Sequence, residues 1–282
     1  MKGSAFAPAH ITGFFCVLPH LEPLRTGSIG CGLCLETGIR AHIEFNSAGA
    51  GTTLNGEHTD IPTVEYVLNE LLGEDRVPFS LNLTSDVRPG FGFGVSGAAA
   101  LAAGFACAQV FGTGTSKRDV AAAAHCAEVL NRTGMGDVAG QCAGGLVMRT
   151  APGAPGVGVT HQIPAKPCEI SWVCLGEIST ASVLGEEETM QRVNKVGLEV
   201  LKSLQERPGF EHFMSLSRQF SIETGLISSR ALDAVEAVEA EGGMASMAML
   251  GDTVFSSGGG EALQEFGTVG HSRIGFAGAH TL

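Results

Sequence analysis

Asp86-Val87-Arg88-Pro89-Gly90-Phe91-Gly92-Phe93-Gly94-Val95-Ser96-Gly97-Ala98-Ala99-Ala100 is the stretch on which the reading of this chain turns. Gly90, Gly92 and Gly94 stand at alternate positions, lack Cβ atoms and tolerate positive φ, so successive backbone N–H groups can converge on an anion. A helix of small residues begins at Ser96 or Gly97, and its N-terminal dipole and free N–H groups face the same point. The Ser96 hydroxyl is placed to reach a phosphate oxygen or a magnesium ion bound to it. The small residues 97–100 allow the helix to pack tightly on a sheet.

Other owners of such a loop can be weighed. Gly92-Phe93-Gly94-Val95-Ser96-Gly97 matches the dinucleotide pattern G-x-G-x-x-G, which alone is weak. The acidic residue that fold places ~20 positions on is missing, because the chain there reads Gly112-Thr113-Gly114. No Gly-Lys-Ser/Thr follows either, so it is not a Walker loop. A plain glycine turn before a core helix is the remaining alternative.

Working outward, 77–87 alternates apolar and polar residues and predicts a strand ahead of the loop. The helix after it covers 96–111, and a second helix covers 117–130. Residues 61–73 carry an amphipathic helical pattern, and 144–150 and 161–163 read as strands. Residues 1–45 hold short apolar runs between turn signals such as Pro8, Pro19, Pro23 and Gly27-Ser28, which reads as short strands. Later, 168–178 predicts a strand, 186–206, 210–225 and 229–241 predict helices, and 245–255 leads to a last strand region near 268–275. The composition changes near 155–165, which divides the chain into 1–160 and 161–282 with no flexible linker. The class is α+β.

The 282 residues suffice for a large core. A net charge of −12 and the lack of a basic stretch argue against nucleic acid. One Trp and one Tyr leave little for a base-stacking platform. Pro8, His10, Pro19 and His20 break the apolar core that a signal peptide requires, and no run approaches the ~20 apolar residues of a spanning helix. Eight scattered cysteines suit a reducing compartment. The expectation is a soluble cytoplasmic protein with no membrane partner. Cys31-Gly32-Leu33-Cys34 is a lone C-x-x-C without a second pair at zinc spacing, and is set aside as a metal or redox site.

The loop Pro-Gly-x-Gly-x-Gly-x-Ser-Gly-Ala-Ala resembles the signature of the galactokinase, homoserine kinase, mevalonate kinase and phosphomevalonate kinase (GHMP) superfamily. That loop usually has two successive serines; here the first is Val95, and Ser96 keeps the position by the phosphates and magnesium. Glu128, on the second helix, and Asp137, followed seven and eight residues later by Gly144-Gly145, match the superfamily's magnesium-binding Glu and its Asp. Alone, Glu128 reads as a solvated face residue and Asp137 as a turn former. The segment 6–15 resembles the first family motif, with His10 where many members have Lys. Residues 23–32 and Met247-Ala248-Met249-Leu250-Gly251-Asp252-Thr253-Val254-Phe255 resemble the archaeal pantoate kinases.

The resemblance implies a two-domain GHMP-kinase fold: an N-terminal α/β sandwich and a C-terminal ferredoxin-like α+β domain closing the active site. It implies ATP and Mg2+ as cofactors, with Pro89, Gly90, Gly92, Gly94, Val95, Ser96, Gly97 and Ala98 on the nucleotide and Ser96 and Glu128 on the metal. Asp137 would then accept or orient the acceptor's proton. It further implies phosphorylation of pantoate, with Ser28, His125, Arg149 and Thr180 lining the substrate. Arg149 suits a carboxylate in fork geometry, and His125 lies one helical turn before Glu128. A homodimer is expected from the resemblance alone. Two rivals stand beside this reading: a kinase of the same superfamily for another small alcohol, and a non-catalytic nucleotide-binding relative.

Overall fold

The computed structural model describes residues 1–45, 51–73, 77–111, 114–176 and 187–282. The chain opens with two long antiparallel strands, β1 (Lys2–Leu18) and β2 (Gly27–Phe45), paired along nearly their whole length. The sequence suggested short strands separated by turns; the structure instead carries Pro8, Gly13, Gly30, Gly32 and Gly38 inside two continuous strands. Register shifts between Pro8 and His10 and between Thr12 and Phe14 absorb the irregularity. Bulges of this kind bend a strand and re-aim its side chains. His10 and Thr12 lie between the two shifts, two residues apart and on one face.

β2 divides its pairing. Residues 39–45 pair with β5 (Phe79–Ser85), the strand that feeds the glycine loop, while 30–33 pair with β6 (Leu146–Ala151). The sheet is extended by β3 (Gly51–Leu54) and β4 (Glu57–His58) beyond β5, and by β7 (Val159–Ile163) beyond β6. A short β12 (His280–Thr281) pairs with β1, so the chain's end returns to its first sheet. β3, β4 and β12 have two to four residues each, too short for a periodic signal.

Three helices cover this sheet: α1 (Pro62–Leu72), α2 (Val95–Phe111) and α3 (Lys117–Asn131). α2 is apolar all round and lies between the sheet and the other two helices, as a fully buried helix must. Ser116 caps α3 in a reciprocal box with Asp119. The seven-residue α4 (Asp137–Ala143) follows and begins at Asp137 itself.

The second sheet holds β8 (Glu169–Gly176), β9 (Met244–Ala248), β10 (Asp252–Ser257) and β11 (Val269–Arg273), all antiparallel in the order β11-β8-β10-β9. That is the strand order of a ferredoxin-like sheet, with a 3-10 turn at Gly260–Glu265 where its second helix would stand. Helices α5 (Glu187–Glu206), α6 (Phe210–Glu223) and α7 (Ser229–Ala240) precede β9. α5 and α6 pack against β1, so the two sheets share one core containing Phe14, Phe15, Trp172, Phe213, Phe220 and Phe255. Phe93, from the glycine loop, is buried in the same core, edge-on to Trp172 at 5.4 Å. Burial of one such ring contributes roughly 2 to 3 kcal/mol, which here anchors the loop to the second sheet. All eight cysteines are free thiols, Cys31 and Cys34 among them.

Candidate active site

A cavity of about 570 Å3 opens where the glycine loop, the start of α2, residues 131–137, β1 and the β9–β10 turn meet. That is the usual size of a small-molecule site. Gly90, Gly92 and Gly94 have φ of 85°, 81° and 60°, a region that residues with a Cβ rarely adopt. The loop therefore needs glycine at these alternate positions. Gln141 Nε2 donates to Gly94 O at 2.8 Å, and Ala98 N donates to the same carbonyl at 3.0 Å. The first N–H groups of α2, as at any helix start, have no helical acceptors, and Val95 and Ser96 line the cavity there. Pro89, Gly90, Gly92, Gly94, Val95 and Ser96 line the cavity; Gly97 and Ala98 are buried behind it in α2.

Glu128 reaches inward from α3 and is 2% exposed. Its Oε1 accepts from Thr133 Oγ1 at 2.7 Å, while its buried Oε2 has no hydrogen-bond partner. The Ser96 hydroxyl faces the carboxyl and favours its ionised form. Burial dominates and the neighbouring Asp137 adds to it, so the Glu128 carboxyl is pushed up to about 7 against the pull of Ser96 and Thr133. A Cβ on Gly134 would lie 2.2 Å from Oε2. The bare Gly134 leaves the space in which that oxygen stands.

Asp137, 21% exposed, lines the cavity from the first turn of α4. His10 Nδ1 stands 2.7 Å from its Oδ1, and Thr12 Oγ1 donates to the same oxygen at 3.1 Å. Burial works to raise this carboxyl, but the hydrogen bonds from His10 and Thr12 and the nearby Arg149 guanidinium bring it below the ordinary carboxylate range. Asp137 is thus ionised at neutral pH and within reach of a hydroxyl in the cavity.

Arg149 comes from β6 opposite Gly30 of β2 and is 2% exposed. Among the described residues it forms no ion pair; its Nε donates to Ser28 O at 3.4 Å and its Nη1 has no partner. Ser28 lines the cavity beside it. A buried guanidinium without a fixed anion is costly and asks for one from the ligand. His125 is also buried, but its Nε2 bonds to Thr26 O at 2.8 Å and it does not line the cavity. It fastens the approach to Ser28. Thr180 lies outside the described residues.

The structure adds residues that the motifs did not single out. Thr12 and Thr133 hold the two carboxylates, and His10, noted only as standing where relatives have Lys, joins them. Strand alternation was the signal that could have paired His10 with Thr12. Phe15, Val17, Met249 and Leu250 form an apolar wall. Met249 N donates to Thr12 O at 2.9 Å, which ties the second sheet's hairpin to β1 at the cavity.

Glycines of positive φ at a helix start, a buried carboxylate, an ionised Asp and an Arg without an ion pair meet around one cavity, an arrangement suited to a small-molecule kinase. Residues 61–145 match the model of the GHMP kinase N-terminal domain. A pantoate kinase of Thermococcus kodakarensis is 36% identical over 264 residues, covering 89% of this chain and 86% of the relative. One from Methanocaldococcus jannaschii is 30% identical, covering 92% and 94%. A solved phosphotransferase related to the CoA biosynthesis pathway superposes with a TM-score of 0.90 at 28% identity, covering 100% of this chain and 99% of that one. The homoserine kinase of Cytophaga hutchinsonii shares the fold, with a TM-score of 0.69 at 16% identity and coverage of 100% and 97%. The chain belongs to the pantoate kinase family of ATP-dependent phosphotransferases.

Proposed function

We propose that the chain transfers the γ-phosphoryl group of ATP to the terminal hydroxyl of pantoate, giving 4-phosphopantoate on the way to coenzyme A. The observation that carries the choice of acceptor is Arg149, a buried guanidinium with Nη1 unpartnered, set beside Ser28 on the cavity wall. A carboxylate there completes an ion pair that the fold leaves open. The apolar wall of Phe15, Val17, Met249 and Leu250 suits the gem-dimethyl carbon and offers nothing to the ammonium group of an amino acid. Names carried by the relatives agree with this reading.

In the reaction, the amides of the glycine loop and of the first turn of α2 hold the β- and γ-phosphates. The unpartnered Glu128 Oε2 and the Ser96 hydroxyl supply hard oxygen donors fitted to Mg2+. No group of three or more His, Cys, Asp and Glu side chains forms a metal site among the described residues, which suits an ion that takes most of its ligands from phosphate and water. When bound there, the ion neutralises phosphate charge. Asp137 takes or orients the proton of the acceptor hydroxyl as the new O–P bond forms and the bond to the ADP oxygen breaks. Positioning and charge neutralisation account for most of the rate, because the transition state is loose. Steady-state ADP release measured with pantoate, homoserine, mevalonate and a sugar tests the proposal. Pantoate is expected to give the highest kcat/KM, and a preference for another acceptor overturns the assignment.

A further inference from the structure

His10 does more at this site than fill space. Residues 10–12 of β1 join three parts of the site: His10 N donates to Phe93 O of the phosphate loop at 3.0 Å, Thr12 O accepts from Met249 N, and both side chains converge on Asp137 Oδ1. With both donors on Oδ1, Oδ2 accepts no hydrogen bond among the described residues and remains for a ligand. The imidazole is fully buried in a slot cleared on both sides. A Cβ on Gly32 would lie 2.6 Å from Nε2, and one on Gly140 2.5 Å. Nε2 itself has no partner. A proton on Nε2 would be a buried donor without an acceptor, which is costly. The single ring proton therefore belongs on Nδ1, where Asp137 accepts it.

We propose that His10 is a positioning residue for phosphoryl transfer: as a neutral imidazole it donates from Nδ1 to Asp137 Oδ1 and holds Oδ2 toward the acceptor hydroxyl. This rests on Asp137 as the proton acceptor and is independent of which acceptor is used. A second ring proton turns the hydrogen bond into an ion pair, lowers the basicity of Asp137 and leaves an orphaned N–H in the slot. Two charged groups from neighbouring elements act on the ring. Asp137 of α4 favours the imidazolium and Arg149 of β6 opposes it. Cys34 of β2, bonded through Sγ to Gly140 O, is a neutral thiol because burial pushes its pKa far up. Burial outweighs Asp137, so the ring titrates below its ordinary value and is neutral at pH 7.

The test compares His10→Ala and His10→Asn with the native protein, using whichever acceptor the native protein turns over. In His10→Ala, kcat falls about 10²-fold, the loss expected of a misplaced group, while KM for ATP and acceptor stay within about threefold. In His10→Asn the amide nitrogen stands where Nδ1 did and restores roughly tenfold or more of the loss, as one regained hydrogen bond to a charged group allows. The acid limb of kcat, read at saturating ATP and magnesium, moves to lower pH in His10→Asn because no imidazole remains to titrate. Equal losses in both variants, a loss confined to KM, or an unmoved acid limb overturn the proposal. Nitrogen NMR of the resting protein at pH 7.5 supplies a readout independent of turnover and of the variants' folding. Protonated Nδ1 with bare Nε2 supports the proposal; the opposite tautomer or an imidazolium overturns it, whatever the acceptor proves to be.

Discussion

Gly251, in the turn between β9 and β10, packs backbone to backbone on the phosphate loop: a Cβ on Gly251 would lie 2.2 Å from the carbonyl carbon of Phe91 and 2.4 Å from Gly92 N. Its φ is not in the left-handed region, so the requirement for glycine is one of space. The turn and the loop thus hold each other at the cavity. Gly251→Ala forces them apart, at a cost to stability of about 1 to 3 kcal/mol typical of overpacking. KM for ATP is expected to rise by about tenfold or more, since even 1 Å of misplacement is expensive at such a site. Thermal melts and ATP kinetics check it; native kinetics with native stability would remove the clamp from the account.

Glu128 gives a stability prediction with a definite sign. Its carboxyl titrates near 7 in the native state, against an ordinary 4.5. Between those values the native state holds a proton that the unfolded chain has released, so stability falls as pH rises through that window and then levels. Glu128→Gln removes the penalty. At pH 8 the variant is expected to be more stable by about 3 kcal/mol or less, with the gain gone at pH 4.5. The same variant loses the stabilisation that magnesium and ATP give the native protein. Melts at the two pH values, with and without MgATP, test both halves.

Arg149 forms no ion pair among the described residues and feels Asp137 only at longer range, so its loss should spare the resting protein. Arg149→Met is expected to leave stability equal or higher, because a buried unpaired cation gives way to an apolar side chain. KM for the acceptor rises by roughly 10²-fold, the worth of hydrogen bonds to a charged group, while KM for ATP stays put. A variant that unfolds, or one that binds acceptor normally, contradicts the role given to Arg149.

Much of this site could be read from sequence because it depends on backbone chemistry. Alternate glycines before a small-residue helix permit an anion cradle, and Gly90, Gly92 and Gly94 adopt the positive φ that one requires. Glu128 and Asp137 gained meaning only from the resemblance to the superfamily, since alone they read as a helix-face residue and a turn former. The long strands β1 and β2 were broken up in the reading because Pro8 and the glycines of residues 27–38 mimic turn signals. Their ladder, with bulges around His10 and Thr12, is a property of pairing between distant residues. α4 was missed because it has seven residues with Gly140 inside, and Gly140 is there to clear the His10 ring. The partnership of His10 with Asp137 spans 127 positions, and no local pattern encodes it.

The most direct test of the central claim is phosphorus NMR of a reaction containing ATP, magnesium and pantoate, run with the native protein and with Asp137→Ala. The account predicts a phosphomonoester of pantoate and one equivalent of ADP from the native protein, and a rate lower by roughly 10² to 10⁴-fold from a folded Asp137→Ala. No phosphopantoate from the native protein, or near-native turnover by Asp137→Ala, would contradict it.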